Sequence, residues 1–182
     1  MTRWRFFLVV LATLALGGCG DPLVTSYGTI GTGSVNGAVE ISGTSKRVQV
    51  EAVNGDVTLK GVGGRIEAST VNGQLKFEGG TLERASFETV SGVLVVVAAL
   101  HPQARVELQS VSGPIELALP ADTQARFEAS SFSGDIKNEL SADQPSRRSK
   151  FTGERELSFT LGSGGATVDL QSLSGQILLR KR

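Results

Sequence analysis

A four-residue unit (small residue, apolar residue, Asn or Ser, then Gly) recurs seven times along this chain. The copies are Ser34-Val35-Asn36-Gly37, Ala52-Val53-Asn54-Gly55, Thr70-Val71-Asn72-Gly73, Thr89-Val90-Ser91-Gly92, Ser110-Val111-Ser112-Gly113, Ser131-Phe132-Ser133-Gly134 and Ser172-Leu173-Ser174-Gly175. Another apolar residue stands two positions after every glycine. The glycines are 18, 18, 19, 21, 21 and 41 residues apart, and the last gap reads as two periods with one degenerate copy inside. A period of this length marks a solenoid, in which each repeat is one layer that cannot bury its apolar face alone and stacks on the next.

With the motif's apolar residue as position 0, apolar residues also recur at −5, −3, +4 and +6. Around Val53 these are Val48, Val50, Val57 and Leu59; around Val111 they are Val106, Leu108, Ile115 and Leu117; around Leu173 they are Val168, Leu170, Ile177 and Leu179. The step of two is strand periodicity with one face buried. The odd offset between the pairs marks a corner, where glycine supplies the positive φ of a sharp bend. The expected fold is all-β: a single-stranded, β-helix-like β-solenoid of about 7–8 coils, with an 18–21 residue repeat. Coils about 4.8 Å apart would give a rod about 35 Å long, with the apolar columns as a continuous narrow core. Asn36, Asn54 and Asn72 would stack as an amide ladder, continued by Ser91, Ser112, Ser133 and Ser174. A sandwich of hairpins would not need one register at five positions, and 23 glycines with β-branched alternation leave no helical period.

The N-terminus has a different chemistry. Arg3 and Arg5 precede an apolar run of eleven residues, Phe6 to Leu16, and Leu16-Gly17-Gly18-Cys19 follows at once. This is the pattern of a signal peptide over residues 1–18. Eleven residues are too few to span a bilayer, which takes about 20. The Leu-Gly-Gly-Cys ending resembles the bacterial lipobox, which implies that Cys19 is acylated with a diacylglycerol and becomes the new N-terminus. Cys19 is the only cysteine, so no internal disulfide forms. Gly20 in place of Asp after the cysteine favours the outer membrane, periplasmic or surface face, over the inner membrane. Without Arg3 and Arg5 the chain keeps 16 basic and 18 acidic residues, a net charge of −2, from which no bulk affinity for a polyanion follows and no nucleic-acid partner is expected. The expected organisation is a signal peptide (1–18), a lipidated N-terminus and tether (19–33) and a solenoid domain (34–182) with a loop insertion at about 138–150.

The recurring Thr/Ser-Val-Asn/Ser-Gly-x-Ile/Val units resemble the bacterial adhesin-like family of β-strand repeats, domain of unknown function 4097. So does the closing Gly162-Ser163-Gly164-Gly165 with Val168-Asp169-Leu170 before Ser172-Leu173-Ser174-Gly175. The resemblance covers nearly the whole mature chain. It implies a β-solenoid at the cell envelope and brings no catalytic residues with it.

Aligned by offset, position −6 reads Arg47, Arg65, Arg84, Arg105 and Arg126 in five successive copies, with Thr29 and Thr167 in the first and last. Next to the inward −5 residue, these side chains point outward as a stripe. Position −4 offers Gln49, Glu67, Ser86, Glu107, Glu128 and Asp169, and position −2 adds Glu51 and Glu88. Two readings are open: a compensated ion-pair ladder, worth about 0–1 kcal/mol per exposed pair, or a basic comb for a repeating polyanion such as lipopolysaccharide or an acidic envelope glycan. Strand alternation also turns Val93, Val95 and Val97 outward, as an apolar contact patch for an envelope protein or under a folded-back loop. Asn138 to Lys150, polar and containing Pro145, reads as a projecting loop. Arg180-Lys181-Arg182 would blunt the last open strand edge.

Enzyme chemistry finds little support. His101 is the only histidine, so neither a Ser/His/Asp triad nor a zinc site has its ligands, and no glycine-rich phosphate loop precedes a helix. Carboxylates on adjacent coils, such as Glu107 and Glu128, would be the requirement for a polysaccharide lyase or hydrolase on a β-helix. Their Arg105 and Arg126 neighbours suit an ion-pair ladder better. The expectation is a non-catalytic envelope lipoprotein without cofactor, anchored through Cys19, that binds or scaffolds through a rigid surface. A glycan-active enzyme is the alternative.

Overall fold

The computed structural model describes residues 23–24, 29–43, 46–147 and 153–182. The signal peptide, Cys19 and part of the tether expected over 19–33 lie outside them, as do residues 148–150 of the expected insertion. Among the described residues every regular element is a strand.

Each motif copy is a corner between two strands. The segments before the corners form a first parallel stack: β2 (Thr29–Asn36), β4 (Arg47–Asn54), β6 (Gly64–Asn72), the second halves of β7 (Leu75–Thr89) and β8 (Leu94–Ser110), then β14 (Ala166–Ser172) and β10 (Ala125–Ser131). The segments after the corners form a second: β1 (Leu23–Val24), β3 (Val39–Ser42), β5 (Val57–Lys60), the first halves of β7 and β8, β9 (Ile115–Leu119), β15 (Ile177–Lys181) and β11 (Ile136–Asn138). β7 and β8 run through both stacks and join them into one 15-stranded, solenoid-like sheet. Pairing keeps the sequence offsets: Val48 opposes Ile66, and Leu59 opposes Phe77.

The core lies between the stacks. Positions −5 and −3 (Val106, Leu108) face positions +4 and +6 (Ile115, Leu117), and all are buried. Phe77 and Phe87 meet across the core with centroids 5.7 Å apart, and Val62 and Leu82 close the third side. Each such side chain contributes about 1.5–3 kcal/mol when fully buried. The motif's own apolar residue does not join them. Val53, Val71, Val90, Val111, Leu173 and Phe132 are 37–52% exposed. The small residue at −1 already points inward, and alternation sends its successor out.

That small residue has a task the alignment did not reveal. At the Ser-Gly corners the glycine N–H donates to its hydroxyl: Gly92 to Thr89 Oγ1 (3.1 Å), Gly113 to Ser110 Oγ (3.0 Å), Gly134 to Ser131 Oγ (2.9 Å) and Gly175 to Ser172 Oγ (2.8 Å). At the Asn-Gly corners the glycine N–H runs to the next copy instead, Gly37 to Asn54 O and Gly55 to Asn72 O. No hydroxyl is needed there, and Ala52 takes its place. The amide ladder forms, Asn54 Nδ2 to Asn36 Oδ1 (3.2 Å) and Asn72 Nδ2 to Asn54 Oδ1 (3.0 Å), but serines do not extend it: Ser133 Oγ donates to the Leu173 carbonyl.

The corner glycines are dictated more by space than by φ. Only Gly37 and Gly73 of the seven hold positive φ, 145° and 144°. A Cβ at Gly55, Gly73, Gly92, Gly113, Gly175 or Gly134 would instead lie 2.6–2.8 Å from the carbonyl carbon of the neighbouring corner glycine, and closer still to its oxygen.

The far end departs from the expected order. The last copy in sequence is not the last in space: β14 sits between β8 and β10, and β15 between β9 and β11. The 41-residue gap therefore holds no degenerate coil. It holds β13 (Arg155–Leu161), which runs antiparallel on the outer edge of β10, stacks Phe159 on Phe127 (4.7 Å), and carries β12 (Ser146–Arg147). The expected projecting loop is partly built into this cap: Asn138 binds Ser141 Oγ, Asp143 O and Leu140 N, and Leu140 is buried. Arg180 and Lys181 lie in register with Ala118 and Leu119 of β9, Arg182 N donates to Leu119 O, and Arg180 pairs with Glu116, so these residues do not blunt a terminal edge.

Candidate functional site

The outer face of the first stack carries its side chains in columns, because every strand arrives in the same register. The outermost column runs Arg47, Arg65, Arg84, Arg105, Thr167, Arg126 in spatial order. All five arginines are exposed. They are consecutive in sequence but not in space, since the inserted last copy places Thr167 between Arg105 and Arg126.

Two residues inward, the next column reads Gln49, Glu67, Ser86, Glu107, Asp169, Glu128. Glu107 and Glu128 are thus not neighbours, because Asp169 separates them. Beyond it, Glu51, Ser69, Glu88, Gln109, Gln171 and Ser130 form a mixed column, and the exposed apolar corner residues follow.

The compensated ladder is not what these columns make. Among the described residues no carboxylate comes within ion-pair distance of Arg47, Arg65, Arg84, Arg105 or Arg126. The ion pairs Lys60–Glu40, Lys76–Glu78, Arg180–Glu116 and Arg155–Asp135 lie on the second stack and the cap. The reason is visible on the strands. Arginine and carboxylate columns are about 6.6 Å apart at two residues' rise. Two of the carboxylates accept from glutamines in the third column: Gln109 Nε2 donates to Glu107 Oε1 (2.6 Å) and Gln171 Nε2 to Asp169 Oδ1 (3.3 Å).

Like charges then crowd one another. Burial, reinforced by Glu107 and Glu128, pushes the Asp169 carboxyl above its ordinary range against the opposing bond from Gln171. Burial followed by Glu107 and Glu67 does the same to Glu88. On the second stack Glu40 raises the Lys60 ammonium, and Lys76 lowers Glu78 through its hydrogen bond.

The valine patch sits on the outer face of the second stack. Val93 is 39% exposed, while Val95 and Val97 are half-buried between Lys76 and Glu116 and between Glu78 and Ala118 respectively. His101 is exposed, and its Nδ1 accepts from Gln103 N at 3.4 Å. No cluster of three or more metal-ligating side chains occurs among the described residues, and no helix there is long and apolar enough to cross a membrane. This arrangement can hold anions electrostatically along one edge.

Sequence reasoning found the arginine column and missed what frees it. The signal was available: glutamine stands at −2 where −4 is acidic in two copies, Glu107/Gln109 and Asp169/Gln171. The exposed corner column was also readable, because position 0 is odd-numbered from −5 and −3.

No curated protein and no solved structure matches the chain. The resemblance read over nearly the whole mature chain is matched over its C-terminal half: three of the four Ser-Gly corners, the inserted last copy and the cap lie there, while the Ser91-Gly92 corner and the Asn-Gly corners with their 18-residue period lie upstream. Over residues 95–180 the chain matches the model of the Toastrack DUF4097 family.

Proposed function

We propose that this chain is a non-catalytic envelope lipoprotein that binds and scaffolds through a rigid β-surface. A diacylglyceryl group on Cys19 anchors it, with the outer membrane favoured by Gly20. The arginine edge meets a repeating polyanion, lipopolysaccharide or an acidic glycan of the envelope. One observation carries the reading: five exposed guanidinium groups share an edge and, among the described residues, none has a carboxylate partner, although carboxylates stand in the next column. Unpaired guanidinium forks suit phosphate and carboxylate oxygens, and the stacked strands fix their spacing before any ligand arrives.

The test is retention of the full-length protein, in detergent, on immobilised lipopolysaccharide at rising salt. Arg65→Gln, Arg84→Gln and Arg105→Gln together should weaken retention by on the order of a hundredfold if each contact is worth about 1 kcal/mol. Unchanged retention would make the edge purely architectural. Release of shortened oligosaccharides from an acidic glycan would instead establish the glycan-active alternative.

A further inference from the structure

The arginine edge is not uniform along its length. At its N-terminal part, the turn leading into β6 and the turn within β7 are made largely of glycine, and they leave an open depression with Gly61 in its wall. The glycines are enforced by the backbone: a Cβ at Gly80 would lie 2.7 Å from the Val62 carbonyl carbon, and one at Gly64 2.6 Å from Lys46 O. No side chain can therefore fill the hollow from these positions. The equivalent turn in the next copy, Ala98 to Ala104, contains His101 and Pro102 and no glycine.

Three cations line this depression. Arg47 and Arg65 are register partners on adjacent strands, and Arg65 N donates to Lys46 O at 3.0 Å, which fixes Lys46 beside them. All three are exposed and, among the described residues, none has an ion-pair partner. Thr81 and Glu83 also line it. Glu83 is placed there by a β-bulge: Gly64 opposes Leu82 and Arg65 opposes Arg84, so Glu83 is the extra residue and faces no register partner. Bulges re-aim a side chain out of the ladder, and here the side chain is an exposed carboxylate.

Cations together with a hydroxyl and an acceptor carboxylate define a ligand chemistry. We propose that this depression is a subsite for a phosphorylated sugar. Lys46, Arg47 and Arg65 take the phosphate oxygens, Glu83 accepts from the ring hydroxyls, and Thr81 accepts from or donates to them. Glu83 repels a bare phosphate but accepts hydroxyl hydrogens, so the hollow discriminates a sugar phosphate from inorganic phosphate. The inference rests on the polyanion reading of the arginine edge and adds to it a specific contact at one end, suited to a phosphosugar unit of a longer glycan or to a free one.

Equilibrium dialysis of the full-length protein in detergent, with labelled glucose 6-phosphate as probe and glucose and inorganic phosphate as competitors, tests this. Glucose 6-phosphate should bind, and both competitors should displace it at least on the order of tenfold less well than unlabelled probe. Lys46→Gln with Arg65→Gln should abolish binding; both sites are exposed, so the fold should be kept, checked by circular dichroism. Glu83→Gln should bring inorganic phosphate level with the sugar phosphate. Arg84→Gln with Arg105→Gln should leave the probe's affinity unchanged while weakening lipopolysaccharide retention. No binding of the probe, or equal competition by inorganic phosphate in the wild type, overturns the subsite even if retention persists. Retention insensitive to Arg84 and Arg105, with the probe still bound, overturns the polyanion reading and leaves a site for free sugar phosphates. Probe binding that survives with lipopolysaccharide as competitor assigns the site to the free ligand; displacement assigns it to the glycan.

Discussion

Replacing Gly113 with alanine inserts one methyl group where two coils touch. Its Cβ would lie 2.6 Å from the Gly92 carbonyl carbon, against about 3.5 Å for an ordinary carbon contact. The Gly92 oxygen lies nearer still, so the corner must open by at least about 1 Å. Three backbone bonds hold it closed: Val111 N to Thr89 O (3.1 Å), Ser112 N to Val90 O (2.9 Å) and Leu94 N to Pro114 O (3.0 Å). If opening by that amount breaks two of them, leaving partners unsatisfied at about 1–3 kcal/mol each, the loss is about 2–6 kcal/mol. Gly37→Ala is the control. Its nearest neighbour is Ser34 Oγ at 3.5 Å, an ordinary contact, so only the strain of a positive φ remains, about 1–2 kcal/mol. Urea unfolding of the full-length proteins followed by far-ultraviolet circular dichroism would compare them. The expected result is a clearly lower midpoint for Gly113→Ala than for Gly37→Ala, with an unchanged denaturant slope. Equal midpoints would refute the reasoning and return the corner glycines to a purely conformational role.

Three other outcomes are expected. Thr70 Oγ1 is buried without a hydrogen-bond partner among the described residues, while Thr89 Oγ1 accepts from Gly92 N, so Thr70→Val should be neutral or stabilising and Thr89→Val should cost about 1–3 kcal/mol in the same unfolding assay. Val106→Ala, in the core, should cost about 2–3 kcal/mol, whereas Val111→Ser, at 41% exposure, should stay within about 0.5 kcal/mol; comparable losses would mean that the corner column is packed after all. Asp169 has a raised folded-state pKa, so the folded protein binds this proton more tightly, and its contribution to stability falls as pH rises from about 3.9, the unfolded value, through the folded value. Asp169→Asn should consequently raise the melting temperature at neutral pH and lose that advantage in acid; a gain that does not depend on pH would rule out this electrostatic origin.

Much of the architecture follows from the spacing of a few residue types. Strand periodicity at −5, −3, +4 and +6 located the core columns because burial acts on each copy separately. The arginine column emerged for the same reason, since register is preserved between copies. What sequence could not reveal depends on relations between distant segments. Nothing local to Thr167 says that it separates Arg105 from Arg126. Alternation turns Val93 and its neighbours outward, yet the half-burial of Val95 depends on residues two coils apart in sequence, Lys76 and Glu116. Corner hydrogen bonding was legible in part: Asn against Ser separates two bonding patterns, but the choice of Gly N–H partner needed the geometry. Glu83 escaped notice because an offset count assigns it no column; it exists only as the extra residue of a bulge.

The insertion of β14 and β15 inside the stack makes the order of synthesis matter. A chain emerging N-terminus first delivers residues 125–138 before residues 166–181, yet in the finished molecule those later residues are the surface on which the earlier ones rest. Coils down to Ser110 and Leu119 can assemble as they appear. The strands over 125–138 gain the layer beneath them only with the last segment, which acts as a keystone laid from the side. A growing molecule thus cannot complete its far end early, and damage to its final residues would part the structure between layers rather than fray its tip.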